Sequence, residues 1–526
     1  MEFNLADLFE IVADAVPERM AVIAGDRRLT FRDLDERANR VAHYLRDVGV
    51  APGQHVGVYA YNRAEWLEIF WGCFKARVVP INVNYRYVVD ELRYLFDNAD
   101  LVALFFEAEF GPHVASVLPG VPKLQHLVQV DDGTGTNTAD LPSVDYEAAL
   151  ASAATDRDGL GPRSADDLYI LYTGGTTGMP KGVMWRSEDI FFAAMGGGNY
   201  GGPGIEKPEE IAEHLSASPG MSFALAPLMH GNAQWTTSIA LLGGNTVLLN
   251  SSRRFDADEI WDLVEREQAN VISLVGDAMA RPLVDALGHR AAPASLFAMV
   301  SGGAILSPAI RTELNERAPN VAVVDAFGAS ETGANGAVDV TESGPRFRMN
   351  EWTTVITEAG ETPPVGEVGL LARRGHVPVG YYKDAAKTAA TFMELGGVRW
   401  AVPGDRAIIE ADGTITVLGR GSQCINTGGE KVFPEEVESA LKSHPAVFDA
   451  IVVGVSDPRW GESVAAVVAP RAGHEVTLDD ITTHCRTVLA GYKVPRHLVV
   501  VDEVERTPAG KPNYRWAKAT ADAAKN

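Results

Sequence analysis

The sequence predicts an α/β fold in which a large domain built on mostly parallel sheets is followed by a smaller α+β domain. Three observations carry this. Short apolar runs such as HVGVYAY, DLYILYT, NVISLVG and VAVVDAFG alternate with helical patterns such as DADEIWDLVEREQ, as in a sheet wound with crossover helices. The 526 residues exceed what one hydrophobic core serves. Near Gly419 the pattern changes to a compact unit of mixed strands and helices.

In LTFRDLDERANRVAHYLRDVGV, residues 29–50, Leu34, Ala38, Val41, Ala42 and Leu45 fall at helical spacing and a glycine follows, which predicts an amphipathic helix. Residues 131–167 are polar and Gly/Asp-rich, and residues 195–220 carry GGGNYGGPG; both read as long loops. After GRGSQCINTGGEKV a helix opens with Pro434 and Glu435. Strand-like runs follow at 446–455 and 464–468, then a helix with Leu478, Ile481, Cys485, Val488 and Leu489 on one face, ending at Gly491, then HLVVVDEV. The boundary falls at Arg420–Gln423, dividing the chain into 1–419 and 420–526. In such a sheet, ligands gather at the carboxyl ends of the strands.

Composition excludes several classes. A formal net charge of −24 repels nucleic acid, so polyanionic ligands need locally basic sites. No apolar run reaches the roughly 20 residues of a membrane helix. The opening MEFNLADLFEIVADAVPERM is acidic where a signal peptide is basic, and Cys73, Cys424 and Cys485 are scattered. A cytoplasmic protein with reduced thiols is expected.

YTGGTTGMPKG, residues 172–182, follows an apolar run and combines glycines, threonines and a lysine. A Walker loop needs a Gly-Lys-[Ser/Thr] ending. Here Met179 and Pro180 intervene before Lys181, Gly182 stands where the metal-binding hydroxyl belongs, and proline disfavours the Walker geometry. Thr173, Thr176 and Thr177 with Gly174, Gly175 and Gly178 still supply hydroxyls and accessible N–H groups, the material of an anion-binding nest.

The string resembles the phosphate loop of the adenylate-forming superfamily of acyl-CoA synthetases, adenylation domains and luciferases. Other strings similar to that superfamily's motifs follow in order: APLMHGNAQW, SGGA, DAFGASETG, PGD, GRGSQCINTGGEKVFPEEVE and RTPAGK, spanning residues 226–511. The resemblance covers about residues 29–511 and implies a small β-barrel-like part within the large domain and a mobile C-terminal domain. It implies two half-reactions: a carboxylate attacks the α-phosphate of ATP, and a thiol then takes the acyl group. ATP, magnesium and CoA are the implied cofactors.

Residue roles are implied by the same resemblance. Lys511 bridges the carboxylate and α-phosphate, Glu331 binds magnesium, and His230 orients the reacting groups. Thr173, Gly174, Gly175, Thr176, Thr177, Gly178, Lys181 and Ser330 meet phosphates. Ser301, Gly302, Gly303, Asp325, Phe327 and Gly328 belong to the nucleotide pocket, with Phe327 against adenine where tyrosine is common. Asp405 accepts the ribose hydroxyls and Arg420 contacts the nucleotide. Gly428 and Gly429 let pantetheine pass close to the backbone. The hinge position is Ser422, commonly aspartate or lysine; Gly174 and Pro403 also depart from the usual serine and threonine.

The acyl pocket falls to His230, Gly231, Ala233, Trp235, Gly302, Gly303, Ala304, Gly333 and Ala334. Small walls without a fixed cation suit a bulky or long-chain hydrophobic acid. LYTGGTTGMPKGVMWR, GDAMARPLVDALG, VPVGYYKDAAKTAATF and GKPNYRWAK closely resemble actinobacterial fatty-acyl-CoA synthetases, especially the branch acting on steroid side-chain acids. Two alternatives stand beside the CoA-ligase reading: an enzyme loading a carrier protein, and a catalytically silent nucleotide-binding protein. The resemblance leaves room for a homodimer.

Overall fold

The computed structural model describes all residues except 174–178, 305, 342–343, 421–422, 428–429, 458–460, 490, 508–510 and 526, and omits the side chains of 339–341, 344–345, 420, 426, 430–431 and 461. Strands Met20–Ala24, Thr246–Leu249, Met221–Ala224, Val271–Leu274, Ala298–Gly302 and Ala322–Ala329 lie side by side in parallel. Beyond Ala322–Ala329 every pairing is antiparallel, through Gly333–Thr341, Gly344–Arg348, Thr414–Arg420, Asp405–Ile409 and Val368–Arg373. This antiparallel part has its own core of Val338, Phe347, Val355, Leu371, Ala407 and Ile415, in the stretch where a barrel-like part is expected.

A second, wholly parallel sheet runs Val79–Asn82, His55–Tyr59, Leu101–Glu107, His126–Val130, Ser143–Asp145. His55–Tyr59 is buried at every position, as a strand covered on both faces must be. The hairpin Leu168–Thr173 and Lys181–Arg186, extended by Gly380–Tyr381, forms a third sheet. The C-terminal sheet pairs Val447–Asp457 with Gly461–Pro470 and adds His497–Val500 in parallel. Two apolar clusters flank it, one around Val437, Leu441, Val464 and Ile481 and one around Ile451, Val467, Tyr514 and Ala517.

The helix expected over 29–50 spans Phe31–Asp47 and buries Leu34, Ala38, Val41, Ala42 and Leu45; a Thr30–Asp33 capping box satisfies its first N–H groups. Three expectations are corrected. Residues 131–167 contain the strand Ser143–Asp145 and the helix Tyr146–Ala151, an element too short for its periodicity to register. The helix starting at Leu478 stops at Val488 and leaves both of those residues exposed, because only Ile481 and Cys485 reach the core. A last helix, Tyr514–Lys525, was not foreseen; its buried face is Tyr514, Ala517 and Ala521, a mostly alanine stripe with little apolar contrast. Among the described residues no helix is long and apolar enough to cross a membrane.

The helix Ala64–Lys75 is buried throughout, acidic residues included. Glu68 accepts from Arg27 at 2.7 Å and from the Tyr146 hydroxyl at 2.7 Å. Glu65 accepts from Arg63 at 2.7 Å and from Arg27 at 2.5 Å. Burial alone would raise the Glu65 carboxyl, but Arg63 and Arg27 hold it down at about 2. A depressed carboxyl stabilises the fold above its unfolded value and loses that contribution as pH falls towards the folded one. Glu65→Gln is therefore expected to cost about 2–4 kcal/mol near neutral pH. Urea midpoints should show the difference from wild type shrinking between about pH 5 and about pH 3; a constant difference would contradict the assignment.

Candidate functional site

The hairpin Leu168–Thr173 and Lys181–Arg186 places Thr173 opposite Lys181 at the ends that flank its connecting loop; Gly174, Gly175, Thr176, Thr177 and Gly178 lie outside the described residues. Lys181 Nζ pairs with Asp384 Oδ2 at 2.6 Å and sits 5.9 Å from the centre of the Tyr381 ring. Tyr381, in the strand added to the hairpin, donates its hydroxyl to Glu331 Oε1 at 2.7 Å. The carbonyl of Ser330 accepts from Trp185 Nε1 at 3.0 Å. Lys181, Ser330 and Glu331 are thus each tied to the hairpin or to the chain that extends it by residues sequence reasoning gave no role.

His230 is the residue before the helix Gly231–Leu242. Its approach segment is held from two sides. Asn62 accepts from Leu228 N at 2.7 Å and donates to the carbonyl of Ala226 at 3.0 Å. Gln234 donates to the Leu228 carbonyl at 2.9 Å and accepts from the Tyr169 hydroxyl at 2.7 Å. Gly231 is required by close approach: a Cβ there would stand 2.6 Å from the Leu171 side chain, with the Trp235 ring at 3.4 Å. Burial pushes the His230 imidazole down to about 3, and the charges of Lys511 and Arg86 add to the shift. Two cations therefore face a neutral ring, and Arg86 is one the sequence reading passed over.

Opposite lies the turn after the strand Ala298–Gly302. Ser301 is buried, and its hydroxyl accepts from Gly276 N at 3.0 Å and donates to the Ala304 carbonyl at 2.9 Å. Gly302 accepts from Asn232 Nδ2 at 3.1 Å, and Gly303 has φ +85°. Asp325 is also turned inward, accepting from Leu306 N at 3.2 Å and from Arg311. Burial raises its carboxyl while Arg311 opposes the shift. The polar atoms of Ser301 and Asp325 are therefore engaged in holding the frame. Phe327 stacks on Phe347 with centroids 5.6 Å apart. Gly333, at φ +68°, passes so near Ala193 that a Cβ would stand 2.7 Å from its carbonyl oxygen, and a Cβ on Gly328 would meet Gly333 at 2.5 Å.

Asp405 is buried and lies opposite Arg420 in the strand register. Lys511 is half-buried and closes a turn: Thr507 N donates to its carbonyl at 2.8 Å and its own N–H to Thr507 Oγ1 at 3.2 Å. Next to that turn Arg506 donates to Asp449 at 3.1 Å, and Lys442 stands 3.5 Å from the same carboxylate. Burial would raise Asp449, but Lys442 and Arg506 hold it low. Gly428, Gly429 and Ser422 lie outside the described residues, as does the side chain of Arg420.

The donor set fits the expected groups. Glu331 is a partly exposed carboxylate beside the strand that extends the hairpin, which suits a hard cation held chiefly by phosphate oxygens. The glycine-lined turns leave backbone groups accessible to a nucleotide. Because burial and the charges of Lys511 and Arg86 push its ring down to about 3, His230 is expected to stay neutral at every working pH. Imidazole NMR signals assigned by His230→Gln should not titrate between about pH 5 and about pH 8, whereas a midpoint near the usual 6.5 would overturn this.

Comparison with known proteins bears on the whole chain. Residues 9–382 match the AMP-binding enzyme family and residues 436–511 the AMP-binding enzyme C-terminal domain. A 3-oxocholest-4-en-26-oate–CoA ligase of Rhodococcus rhodochrous is 48% identical, covering 98% of this chain and 96% of that one. A medium-chain acyl-CoA ligase of Mycobacterium avium is 45% identical over 99% of this chain and 98% of its own. In structure, an anthranilate CoA ligase in complex with anthranoyl-AMP superposes with a TM-score of 0.85 at 24% identity, covering 99% of this chain and 98% of the other. With both family domains matched in order and near-half identity along the full length, the chain belongs to the AMP-binding enzyme family.

Proposed function

We propose that the protein is an AMP-forming acyl-CoA synthetase that activates a bulky or long-chain hydrophobic acid, of the fatty-acid or steroid side-chain type, and transfers it to CoA. The observation that carries this reading is the pair of family domains matched in order along a chain whose His230, at the start of a helix, lies within the electrostatic reach of Lys511 and Arg86. The relatives named for 3-oxocholest-4-en-26-oate and for medium- and long-chain fatty acids support the acid class.

Carboxylate and α-phosphate repel as they meet, by about 1 kcal/mol at 4 Å in water and about 4 at an effective dielectric of 20. Lys511 offsets that repulsion at the reacting oxygens. A neutral imidazole at His230 adds a directed hydrogen bond without competing for the proton balance. Phe327 carries adenine on its ring and Asp405 accepts the ribose hydroxyls. Thr173, Lys181 and the loop 174–178 steer the departing pyrophosphate. Magnesium, when bound at Glu331, supplies charge neutralisation on the phosphates. The wall formed by Gly231, Trp235, Gly302, Ala304 and Gly333 accommodates the acyl group. For the second half-reaction the C-terminal domain turns about Ser422 and brings Gly428 and Gly429 to the pantetheine arm.

Lys511→Ala is expected to slow acyl-adenylate formation about 10²–10³-fold while thioester formation from supplied acyl-adenylate persists. Pyrophosphate release and product mass report the two steps, and near-normal adenylation would refute the role. A panel of fatty, aryl and steroid acids with ATP, magnesium and CoA, read by thioester mass, tests the substrate. Turnover confined to aryl or dicarboxylic acids would overturn the assigned class, and transfer to a holo-carrier protein in preference to CoA would overturn the acceptor.

A further inference from the structure

Asn82 ends the edge strand of the five-stranded parallel sheet and is 5% exposed. Its Nδ2 donates to the Tyr172 carbonyl at 2.8 Å and to the Met229 carbonyl at 2.7 Å, and its Oδ1 accepts from Tyr172 N at 2.8 Å. Both amide hydrogens are used. The double bond with Tyr172 imitates the exchange of a residue pair in an antiparallel ladder, so a side chain stands in for a strand neighbour just ahead of the phosphate loop. The third bond takes hold of the residue before His230. Asn62 restrains the His230 approach from elsewhere, and Gln234 reaches the loop strand only near its start, through the Tyr169 hydroxyl; Asn82 takes hold of it next to the loop.

We propose that Asn82 is a positioning residue for adenylation, setting the span between the loop that holds the polyphosphate and the histidine that orients the carboxylate. The inference rests on the proposed function, since only an in-line attack on phosphate demands that span. Reacting atoms must lie within about 3–3.5 Å, and a shift of about 1 Å can cost about 10² in rate. Pyrophosphate has left before the thiol step, so that step has no use for the fixed distance. Removing the amide also strands three backbone groups in a buried place, a loss with a structural side, and the test must separate the two.

The full-length enzyme is assayed with an acid that wild type accepts. Asn82→Ala is expected to slow pyrophosphate release about 10²-fold while converting supplied acyl-adenylate and CoA to thioester within about 3-fold of wild type. Asn39→Ala serves as the destabilised control: Asn39 is equally buried, donates to the Thr155 carbonyl at 2.7 Å, and lies on a helix that carries no site residue. It should leave both half-reactions near wild type. If Asn82→Ala does not fold, Asn82→Ser, which keeps a hydroxyl at the position, is read in the same way. A parallel fall in both half-reactions, or adenylation within about 3-fold of wild type, overturns the inference and leaves the proposed function standing. Failure of wild type itself to release pyrophosphate with any acid overturns both.

Discussion

The turns at the carboxyl edge of the large sheet depend on how that sheet changes direction at the strand Ala322–Ala329. That strand is parallel to Ala298–Gly302 on one side and antiparallel to Gly333–Thr341 on the other. A parallel neighbour delivers its carboxyl end to the same edge, and an antiparallel one begins there. Two chain turns, the one after Gly302 and the one between Ala329 and Gly333, therefore crowd one rim. The inward-facing Asp325, satisfied by Leu306 N and Arg311, ties the middle of that strand to the turn beside it. The glycines follow from this crowding: Gly333 against Ala193 and Gly231 against Leu171 have no room for a Cβ.

The rim built this way is lined by backbone groups more than by charges, while the protein as a whole carries −24. Cations are supplied from separate places: Lys181 from the hairpin, Arg86 from the chain after the strand Val79–Asn82, and Lys511 from a turn close to the C-terminus. Lys511 belongs to the C-terminal unit, so a movement of that unit would carry it away without unravelling the large sheet. An enzyme that must draw anions together and then let pyrophosphate go gains from a cation that is removable.

Motifs were legible because phosphate and adenine chemistry uses contiguous backbone at fixed spacing, and PKG, SGGA and FGASETG show that spacing on their face. What the sequence does not display are contacts made at long range. Asp384 lies 203 positions from Lys181 and Tyr381 lies 50 from Glu331, and neither residue type is unusual where it stands. Asn82 in VPIN reads as a strand end. Roles assigned to whole strings also blur individual residues: Ser301 and Asp325 stand inside motifs, yet their side chains hold the frame. In the C-terminal unit, strands rich in valine announced themselves, whereas the alanine-faced helix Tyr514–Lys525 did not.

The pairing of Lys181 with Asp384 means that any anion taking this lysine would have to exchange with a partner already in place. The carboxylate it would displace lies only a few residues from Tyr381, whose hydroxyl is committed to Glu331. Part of the ordering entropy of the lysine is already spent before binding, so affinity is traded for readiness. Because Tyr381 stands 5.9 Å from Lys181 by its ring and is bonded to Glu331 by its hydroxyl, a disturbance at the lysine would be felt at the glutamate as a change in the hydrogen bond it keeps.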